Sequence, residues 1–187
     1  MKTVTIIYYS KNGSTHSLAQ ALSKGVSDSQ AQCHLYRIDP SLIVEGRFRD
    51  NDLWPLLDKS DAIVFGAPTY MGSAAAPFKA FMDATSDSYV KQSWNGKLAA
   101  GFTCGGSVNG EQQQTLLNFF ALSCQHGMLW TGLDTCKHTD KKNLNRLGCS
   151  IGLVASHHNE DSDKIHPIDL ATAEYLGQRI VTLLGKQ

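Results

Sequence analysis

The chain has 187 residues, of which 42% are hydrophobic and 18% charged, a composition that predicts one folded globular domain over residues 1–187. Seventeen Lys and Arg residues balance seventeen Asp and Glu residues, so there is no basic excess to bind nucleic acid and no acidic excess for docking on a basic redox partner. Five cysteines without C-x-x-C spacing argue against a disulfide framework or a zinc site and favour reduced thiols. The apolar runs are too short for a signal peptide or a membrane span, so we expect a cytoplasmic protein.

Short apolar runs alternate with helical patterns along the chain. The runs predict strands at residues 4–9, 33–38, 62–66, 98–102 and 128–133, the last resuming near 151–155. Apolar spacing predicts helices at residues 14–26, 51–60, 77–84, 110–126 and 168–184. The polar segment 134–150 is expected to form a loop or a small subdomain, and the charged segment 156–167 is expected to form a loop. This alternation predicts an α/β fold in which helices cover both faces of a parallel sheet.

A polar loop follows the first predicted strand and opens the first predicted helix. Its residues are Ser10, Lys11, Asn12, Gly13, Ser14 and Thr15. A helix N-terminus offers N–H donors and partial positive charge, the hydroxyls add donors, and Gly13 lets the backbone approach a ligand. These features indicate a phosphate site, although the G-x-G-x-x-G and P-loop patterns are absent. Taken alone, the loop also fits a plain helix cap by Asn12 or Ser14.

Two further loops follow the third and fourth predicted strands. The first, which carries an aromatic ring and a thioether suited to stacking on a flat ligand, contains Pro68, Thr69, Tyr70, Met71 and Gly72. The second, whose glycines free backbone N–H groups, contains Thr103, Cys104, Gly105, Gly106 and Ser107. Each loop also has a purely structural alternative. In the first, Tyr70 could simply pack under a neighbouring loop, and in the second, the glycines could simply allow a turn with positive φ. Loops at the carboxyl ends of parallel strands meet at the switch point of the sheet, so we expect the three loops to build one site.

Four pieces of the chain together resemble one family. They are residues 10–15, residues 65–72, Gly96-Lys97-Leu98 with Phe102-Thr103, and His126-Gly127-Met128 with Gly132-Leu133. In this order they resemble the flavodoxin-like NAD(P)H-dependent oxidoreductases, and most closely the tryptophan-repressor-binding-protein type of NAD(P)H:quinone oxidoreductase. The resemblance covers most of the chain to residue 133 and the C-terminal helix. It implies a flavodoxin-like three-layer sandwich with a five-stranded parallel sheet of order 2-1-3-4-5.

The resemblance also implies a cofactor and its contacts. FMN would bind with its phosphate on residues 10–15, its ring on 68–72 and its pyrimidine side on 104–109, which includes Asn109. His126 matches a flavin-proximal histidine of the family, and Tyr89 an aromatic residue near the nicotinamide or quinone site. NADH or NADPH would donate electrons, and a quinone or similar small molecule would accept them. FMN itself carries the redox chemistry, so no side chain is expected as a catalytic acid or base.

Several alternatives stay open beside this hypothesis. The protein could instead be a flavodoxin-type electron carrier or a flavin-binding regulatory protein without turnover. The segment 40–61 is shorter than the one that helps to build the family's tetramer, so a homodimer and a homotetramer both remain. Cys104 fits a reactive thiol or a small buried residue, and His126 also fits a simple helix-end histidine.

Metal and hydrolase chemistry have little support in the sequence. The histidines and carboxylates of the C-terminal third fit no standard metal-ligand spacing. They are His157, His158, His166, Asp161 and Asp163. His138 is expected at the surface, and the chain has no G-x-S-x-G elbow. We therefore expect neither a metal site nor a serine nucleophile.

Overall fold

The computed structural model describes residues 1–136, 142–156 and 164–186, and its centre is a parallel sheet. The strands in this part of the chain are β1 (Thr3–Tyr8), β2 (Gln32–Arg37), β3 (Ile43–Val44), β4 (Arg47–Phe48), β5 (Ala62–Tyr70), β6 (Ser73–Ala74), β7 (Leu98–Gly105), β8 (Leu129–Trp130) and β9 (Leu153–Ser156). The helices are α1 (Ser14–Asp28), α2 (Leu53–Lys59), α3 (Ala76–Ala84), α4 (Ser86–Lys91), α5 (Gln112–Gln125) and α6 (Pro167–Leu184). Within the described residues, no helix combines the length and apolarity needed to cross a bilayer.

The sheet has the order β2-β1-β5-β7, and the edge beyond β7 is shared by two short strands. β8 pairs with the start of β7, at Leu98 and Ala99, whereas β9 pairs with its end, from Phe102 to Gly105. All of these pairs are parallel. The predicted order 2-1-3-4-5 is confirmed, and so is the interruption of the fifth strand, since β8 and β9 together occupy the fifth position.

The core has two layers, one on each face of the sheet. Successive residues of β1 point to opposite faces, so Ile6 packs in the layer with α1 and α6, and Ile7 packs in the layer with α3 and α5. Both side chains are fully buried, and each such burial stabilises the fold by about 1.5–3 kcal/mol. Helices therefore cover both faces of the sheet. The ends of the strands are not covered by these two layers.

Helices α1 and α6 approach each other at two glycines. A Cβ atom on Gly25 would lie 1.9 Å from the carbonyl oxygen of Glu174, and one on Gly177 would lie 2.3 Å from that of Leu22. Neither position has room for a side chain unless the helices move apart. This contact holds α1, and with it the loop that precedes α1, against the C-terminal helix.

Three local predictions were wrong in detail. The segments predicted as loops after the third and fourth strands begin as strand, because β5 continues to Tyr70 and β7 to Gly105. Residues 40–50, for which the sequence predicts no element, contain the antiparallel pair of β3 and β4. The helix α4 was also missed. These elements are short and are held by tertiary contacts, so hydrophobic periodicity does not reveal them.

Candidate functional site

The three predicted loops meet in one cavity at the carboxyl edge of the sheet. The cavity lies between the start of α1, the end of β5 and the end of β7. Its lining residues are Ser10, Lys11, Asn12, Ser14, Thr15, Pro68, Thr69, Tyr70, Cys104, Gly105 and Gly106. A neighbouring groove extends past the tip of the β5–β6 turn, and it is lined by Thr69, Met71, Gly72, Gly105, Gly106, Ser107, Glu111 and Gln112. Residues from distant parts of the sequence thus form one continuous site.

The first loop is organised by the hydroxyl of Ser10. Its Oγ accepts hydrogen bonds from the N–H groups of Gly13 and His16, both at 3.2 Å. Gly13 is the N-cap of α1 and has φ 99°, a left-handed conformation that favours glycine. The alternative of a cap by Asn12 or Ser14 is therefore wrong, since a residue upstream of the helix supplies the capping oxygen. Within the described residues no acceptor contacts the N–H of Thr15, which is available to a ligand.

Cys104 lies directly behind this loop. The thiol is buried, and its Sγ is 3.3 Å from Oγ1 of Thr15. Burial raises the pKa of the Cys104 thiol to about 11. The side chain is thus a neutral thiol at physiological pH, which favours its role as a small buried residue over that of a reactive nucleophile.

A chain of three threonine hydroxyls fixes the second loop to α5. Thr103 donates to the carbonyl oxygen of Ala67 at 2.7 Å, so its hydroxyl can only accept from Thr69, 2.8 Å away. Thr69 then accepts from Thr115, also at 2.8 Å. The direction of all three bonds follows from that first donation. This chain positions Thr69, which lines both the cavity and the neighbouring groove.

The residues beyond Thr69 form the rim of the site. The turn from β5 to β6 has two central residues with positive φ, 49° at Met71 and 77° at Gly72, which is the pattern of a type I′ hairpin. Met71 is fully exposed at its tip, and Tyr70 is 45% exposed beside the cavity. An apolar side chain and an aromatic ring are thereby held at the mouth of the site, where a flat ligand can contact them.

In the third loop, residues 103–107, the backbone of Gly105 lies close to α5. A Cβ on Gly105 would lie 2.7 Å from Nε2 of Gln112, whereas one on Gly106 would meet nothing within 4 Å. Gln112 itself is buried and donates to the carbonyl oxygen of Ser107 at 2.6 Å. The loop is therefore shaped by a side chain of α5, and it leaves open space next to the backbone of Gly106.

Sequence reasoning missed two contacts on the other flank of the first loop. Arg37, the last residue of β2, donates from Nη2 to the carbonyl oxygen of Ser10 at 2.7 Å. The hydroxyl of Tyr8 lies 2.6 Å from Nδ1 of His16 in the first turn of α1. A signal for Arg37 was present, since β2 also ends at the carboxyl edge of the sheet, where it neighbours β1.

The structure does not bring every predicted residue to the cavity. Asn109 is exposed and donates to the carbonyl oxygen of Leu147 at 3.1 Å. His126 follows α5, whose 14 residues span about 21 Å and carry the chain back to the amino edge of the sheet. Tyr89 lies there as well, with its ring centroid 6.0 Å from that of His126. Contacts of His126 and Tyr89 with the flavin thus require a second copy of the chain, and they stay predictions.

His126 has a distinct environment at that edge. Its ring stacks on Trp94 with centroids 4.3 Å apart, and Nε2 lies 2.9 Å from the hydroxyl of Thr85. Thr85 donates to the carbonyl oxygen of Met82, so Nε2 carries the proton and Nδ1 is a buried acceptor with no partner in the described part of the chain. Burial lowers the pKa of His126 to about 4, so the ring is neutral at pH 7.

Most of the histidine-rich segment lies outside the described residues. This holds for His138, His157, His158, Asp161 and Asp163. His166 is described, and its Nδ1 accepts from the N–H of Ile168 at 3.1 Å as the N-cap of α6. This hydrogen bond is that of a helix cap.

The fold and the site define a class. The chain has a doubly wound parallel sheet, and a helix N-terminus and two loops that bear aromatic residues or glycines meet at one switch point. This is the architecture of flavodoxin-like nucleotide-binding proteins. Residues 1–130 match the model of the NADPH-dependent FMN reductases, and the chain belongs to this family.

Three known proteins are similar over their whole lengths. Flavodoxin FldP of Pseudomonas aeruginosa is 36% identical over 192 residues, with 100% of this chain and 98% of the relative aligned. An NAD(P)H dehydrogenase (quinone) of Syntrophus aciditrophicus is 26% identical, with 98% of both chains aligned. The crystal structure of a flavodoxin, WrbA-like protein from Agrobacterium tumefaciens superposes with a TM-score of 0.77 at 32% identity, covering 100% of this chain and 99% of that one.

FMN is the cofactor of this family, and the residues of the cavity fit it. The N–H of Thr15 and the hydroxyls of the first loop are donors for a phosphate dianion at a helix N-terminus. Gly13 and Gly106 each leave open space where a side chain would lie. Tyr70 supplies an aromatic ring at the mouth. Phosphate donors, backbone clearance and an aromatic rim are therefore present together.

Proposed function

We propose that this protein is an FMN-dependent reductase that takes electrons from NADH or NADPH and passes them in pairs to a quinone or similar small acceptor. The observation that carries the proposal is the open cavity where the three loops meet, in a chain of the NADPH-dependent FMN reductase family. The exposed rim at Tyr70 and Met71 supports it, because a flat donor or acceptor needs access to the ring. The name of the relative from Syntrophus aciditrophicus points to the same donor and acceptor classes.

The proposed assignments follow the three loops. The phosphate would lie on residues 10–15, where Ser10 keeps the backbone in place by accepting two N–H bonds. The ring would lie against residues 68–72, whose position the threonine chain fixes through Thr69. The loop from Cys104 to Ser107 would face the pyrimidine side with backbone N–H groups, which stabilise negative charge.

Bound FMN supplies the chemistry, since it accepts a hydride from a nicotinamide and releases two electrons to an acceptor. The protein's own residues bind FMN and orient it. The buried thiol of Cys104 lines the cavity, and the buried Thr103 and Thr115 hold Thr69 in its wall through their hydroxyls. No side chain of the site is needed as a proton donor or acceptor, in keeping with the neutral Cys104 thiol.

The test is anaerobic reduction of the purified holoprotein. NADH or NADPH is added in steps while the flavin absorbance is followed, and a benzoquinone is then added to the reduced protein. We expect bleaching with at least one donor and full recovery of the absorbance with one quinone per flavin. Absence of bleaching with both donors would rule out the reductase.

A second candidate is an electron carrier, which the 36% identity to a protein named flavodoxin favours. A carrier exchanges electrons one at a time with protein partners, so its chemical reduction with dithionite would proceed in two resolved one-electron steps. A reductase would take up both electrons together. The equal numbers of acidic and basic residues support the reductase, because they provide no acidic excess for docking.

The anaerobic reduction with NADH or NADPH also distinguishes the reductase from a flavin-binding regulatory protein without turnover. Such a protein would bind FMN yet show neither reduction by NAD(P)H nor rapid exchange with a redox partner. A protein that is colourless after purification and does not bind added FMN would contradict all three functions.

A further inference from the structure

A second groove lies on the opposite flank of the first loop, and we name it the Arg37 groove. It is lined by Tyr9, Ser10, Lys11, Arg37, Ile38, Asp39 and Pro40 and encloses about 410 Å³. This volume is within the range of small-ligand sites. The proposed FMN cavity opens toward the ends of β5 and β7, whereas the Arg37 groove opens toward the end of β2. Both linings include Ser10 and Lys11, but the groove contains no residue of the loops after β5 and β7, so its far end at Arg37 is a different place from the proposed FMN cavity.

Two cations line the Arg37 groove. The guanidinium of Arg37 is held in place by one hydrogen bond to the carbonyl oxygen of Ser10, at 2.7 Å. A guanidinium has five N–H donors, and in the described part of the chain no other acceptor contacts it. No described carboxylate forms an ion pair with Arg37 or Lys11, in contrast to Lys24, which pairs with Glu174. The groove thus offers fixed and unused donors for an anion.

One carboxylate opposes these cations. Asp39 lines the same groove, and its Oδ1 accepts from the N–H of Ser41 at 2.9 Å as the cap of the 3-10 turn Pro40–Leu42. Together with Lys11 and Arg37, it gives the lining of the groove a net charge of +1. The groove is suited to a phosphate that Arg37 binds, and the carboxylate of Asp39 weakens that binding.

The groove is continuous with the mouth of the FMN cavity. It shares Ser10 and Lys11 with the cavity itself, and it shares Pro40 with a third, apolar groove that reaches Tyr70. A molecule with a flat ring at Tyr70 would reach Arg37 by passing Pro40, which borders both grooves. Of the substrates in the proposed reaction, the nicotinamide dinucleotide alone carries both a flat reacting ring and phosphates.

We propose that the Arg37 groove binds a phosphate of the nicotinamide dinucleotide donor and that Arg37 is its principal ligand. The inference rests on the proposed function, since it assigns a subsite to that function's donor. The phosphate is either the pyrophosphate, which NADH and NADPH share, or the 2′-phosphate, which only NADPH has. The shared chemistry is a phosphate held by a guanidinium beside the first loop.

The experiment compares four variants of the FMN-loaded protein. Arg37→Gln removes the charge, Arg37→Lys keeps it, and Asp39→Asn removes the opposing carboxylate while its amide oxygen still caps the 3-10 turn. Lys59→Gln is the matched control, because it removes one exposed positive charge at the amino edge of the sheet. For each variant, KM and kcat are measured with NADH and NADPH, and Kd is measured by calorimetry for NAD⁺ and NADP⁺. The Kd of FMN is measured in parallel.

We expect Arg37→Gln to raise the donor KM and the oxidised-dinucleotide Kd by about tenfold, since a hydrogen bond to a charged group is lost. Arg37→Lys should restore part of the loss. Asp39→Asn should shift both constants the other way by about twofold, and Lys59→Gln should leave them unchanged. A loss for both dinucleotides identifies the pyrophosphate, and a loss for NADPH and NADP⁺ alone identifies the 2′-phosphate.

Two results would overturn the inference. The first is an unchanged donor KM and dinucleotide Kd in Arg37→Gln. The second is a weaker FMN affinity in Arg37→Gln with unchanged dinucleotide binding, which would mean that Arg37 acts only on Ser10 and the first loop. Failure of the proposed function is distinguishable from both, because the wild-type protein would then not be reduced by either donor.

Discussion

Arg146 donates two hydrogen bonds of 2.8 Å to the carboxylate of Asp169, which is buried in the first turn of α6. Arg146 also donates to the hydroxyl of Ser156 at 2.6 Å, and the N–H of Ser156 donates to Asp169 at 3.1 Å. Ser156 is the last residue of β9 and is paired with Gly105 in β7. The ion pair therefore joins the segment that interrupts the fifth strand to the strand end beside the cavity.

Replacement of Arg146 by Met should lower the free energy of unfolding by about 3 kcal/mol, because it leaves the buried carboxylate of Asp169 without its bidentate partner. Arg146→Lys should recover only part of this, since an ammonium cannot form the two parallel bonds. Urea denaturation of the three proteins at pH 7 measures the difference.

A double variant is the control for this prediction. Arg146→Met with Asp169→Leu removes both charges, and it should cost less than Arg146→Met alone because no unpaired charge remains buried. If the double variant costs as much as Arg146→Met alone or more, the unpaired carboxylate is not the source of the loss and the prediction is contradicted.

The phosphate loop was predictable because its signals are local. Polar residues between a buried strand and a helix start, together with Gly13, are read directly from the order of the residues. Convergence with the loops after β5 and β7 followed from the rule for the carboxyl ends of parallel strands. The resemblance added FMN, to which this reasoning from the residues does not lead.

The residues that were missed depend on register and tertiary packing. Arg37 is placed beside the loop because it pairs with Tyr8, and no local pattern specifies that register. The strands β3 and β4 have two residues each around a turn with positive φ at Glu45 and Gly46, too short for periodicity to be detected. The expected contact of His126 with the flavin comes from a motif. A motif does not specify the edge of the sheet to which α5 returns the chain.

Removal of the hydroxyl of Ser10 should weaken FMN binding by about tenfold, because the N–H groups of Gly13 and His16 lose their acceptor and the loop loses its shape. Thr15→Ala should act in the same direction, and Thr15→Ser is the control that keeps a hydroxyl near Cys104. Fluorescence titration of the apoprotein measures the affinities. Riboflavin, which lacks the phosphate, should bind all of these proteins alike, and an equal loss for riboflavin would contradict the phosphate assignment.

Cys104 should resist alkylation in the folded protein. Burial raises its pKa from 9.0 to about 11, so the thiolate is scarce at pH 8 and the sulfur is inaccessible. Cys124 is exposed and should react with iodoacetamide before Cys104 does. Mass spectrometry of peptides after a timed reaction at pH 8 measures both. Labelling of Cys104 as fast as Cys124 in the native state would show that the thiol is a reactive group of the site.

The same shift sets the response of Cys104 to alkaline pH. Because the pKa in the folded state is higher than in the unfolded state, the neutral thiol contributes stability below pH 9, and this contribution is lost as pH rises toward 11. Cys104→Ala removes the titration. The stability difference between the wild type and this variant should therefore fall between pH 9 and pH 11, and a constant difference would argue against a buried thiol.

His126 should make the protein sensitive to acid. Burial lowers its pKa from 6.5 to about 4, so the unfolded chain takes up the proton first as the pH falls. The stability that the neutral ring contributes is complete above about pH 6.5 and is lost toward pH 4, which amounts to about 2–3 kcal/mol between pH 7 and pH 4.5. His126→Phe keeps the stacking on Trp94 and removes the titration. Denaturant unfolding of both proteins at several pH values should show the wild type losing more stability than the variant over this interval. Parallel pH profiles would mean that the pKa of His126 is not lowered in the folded protein.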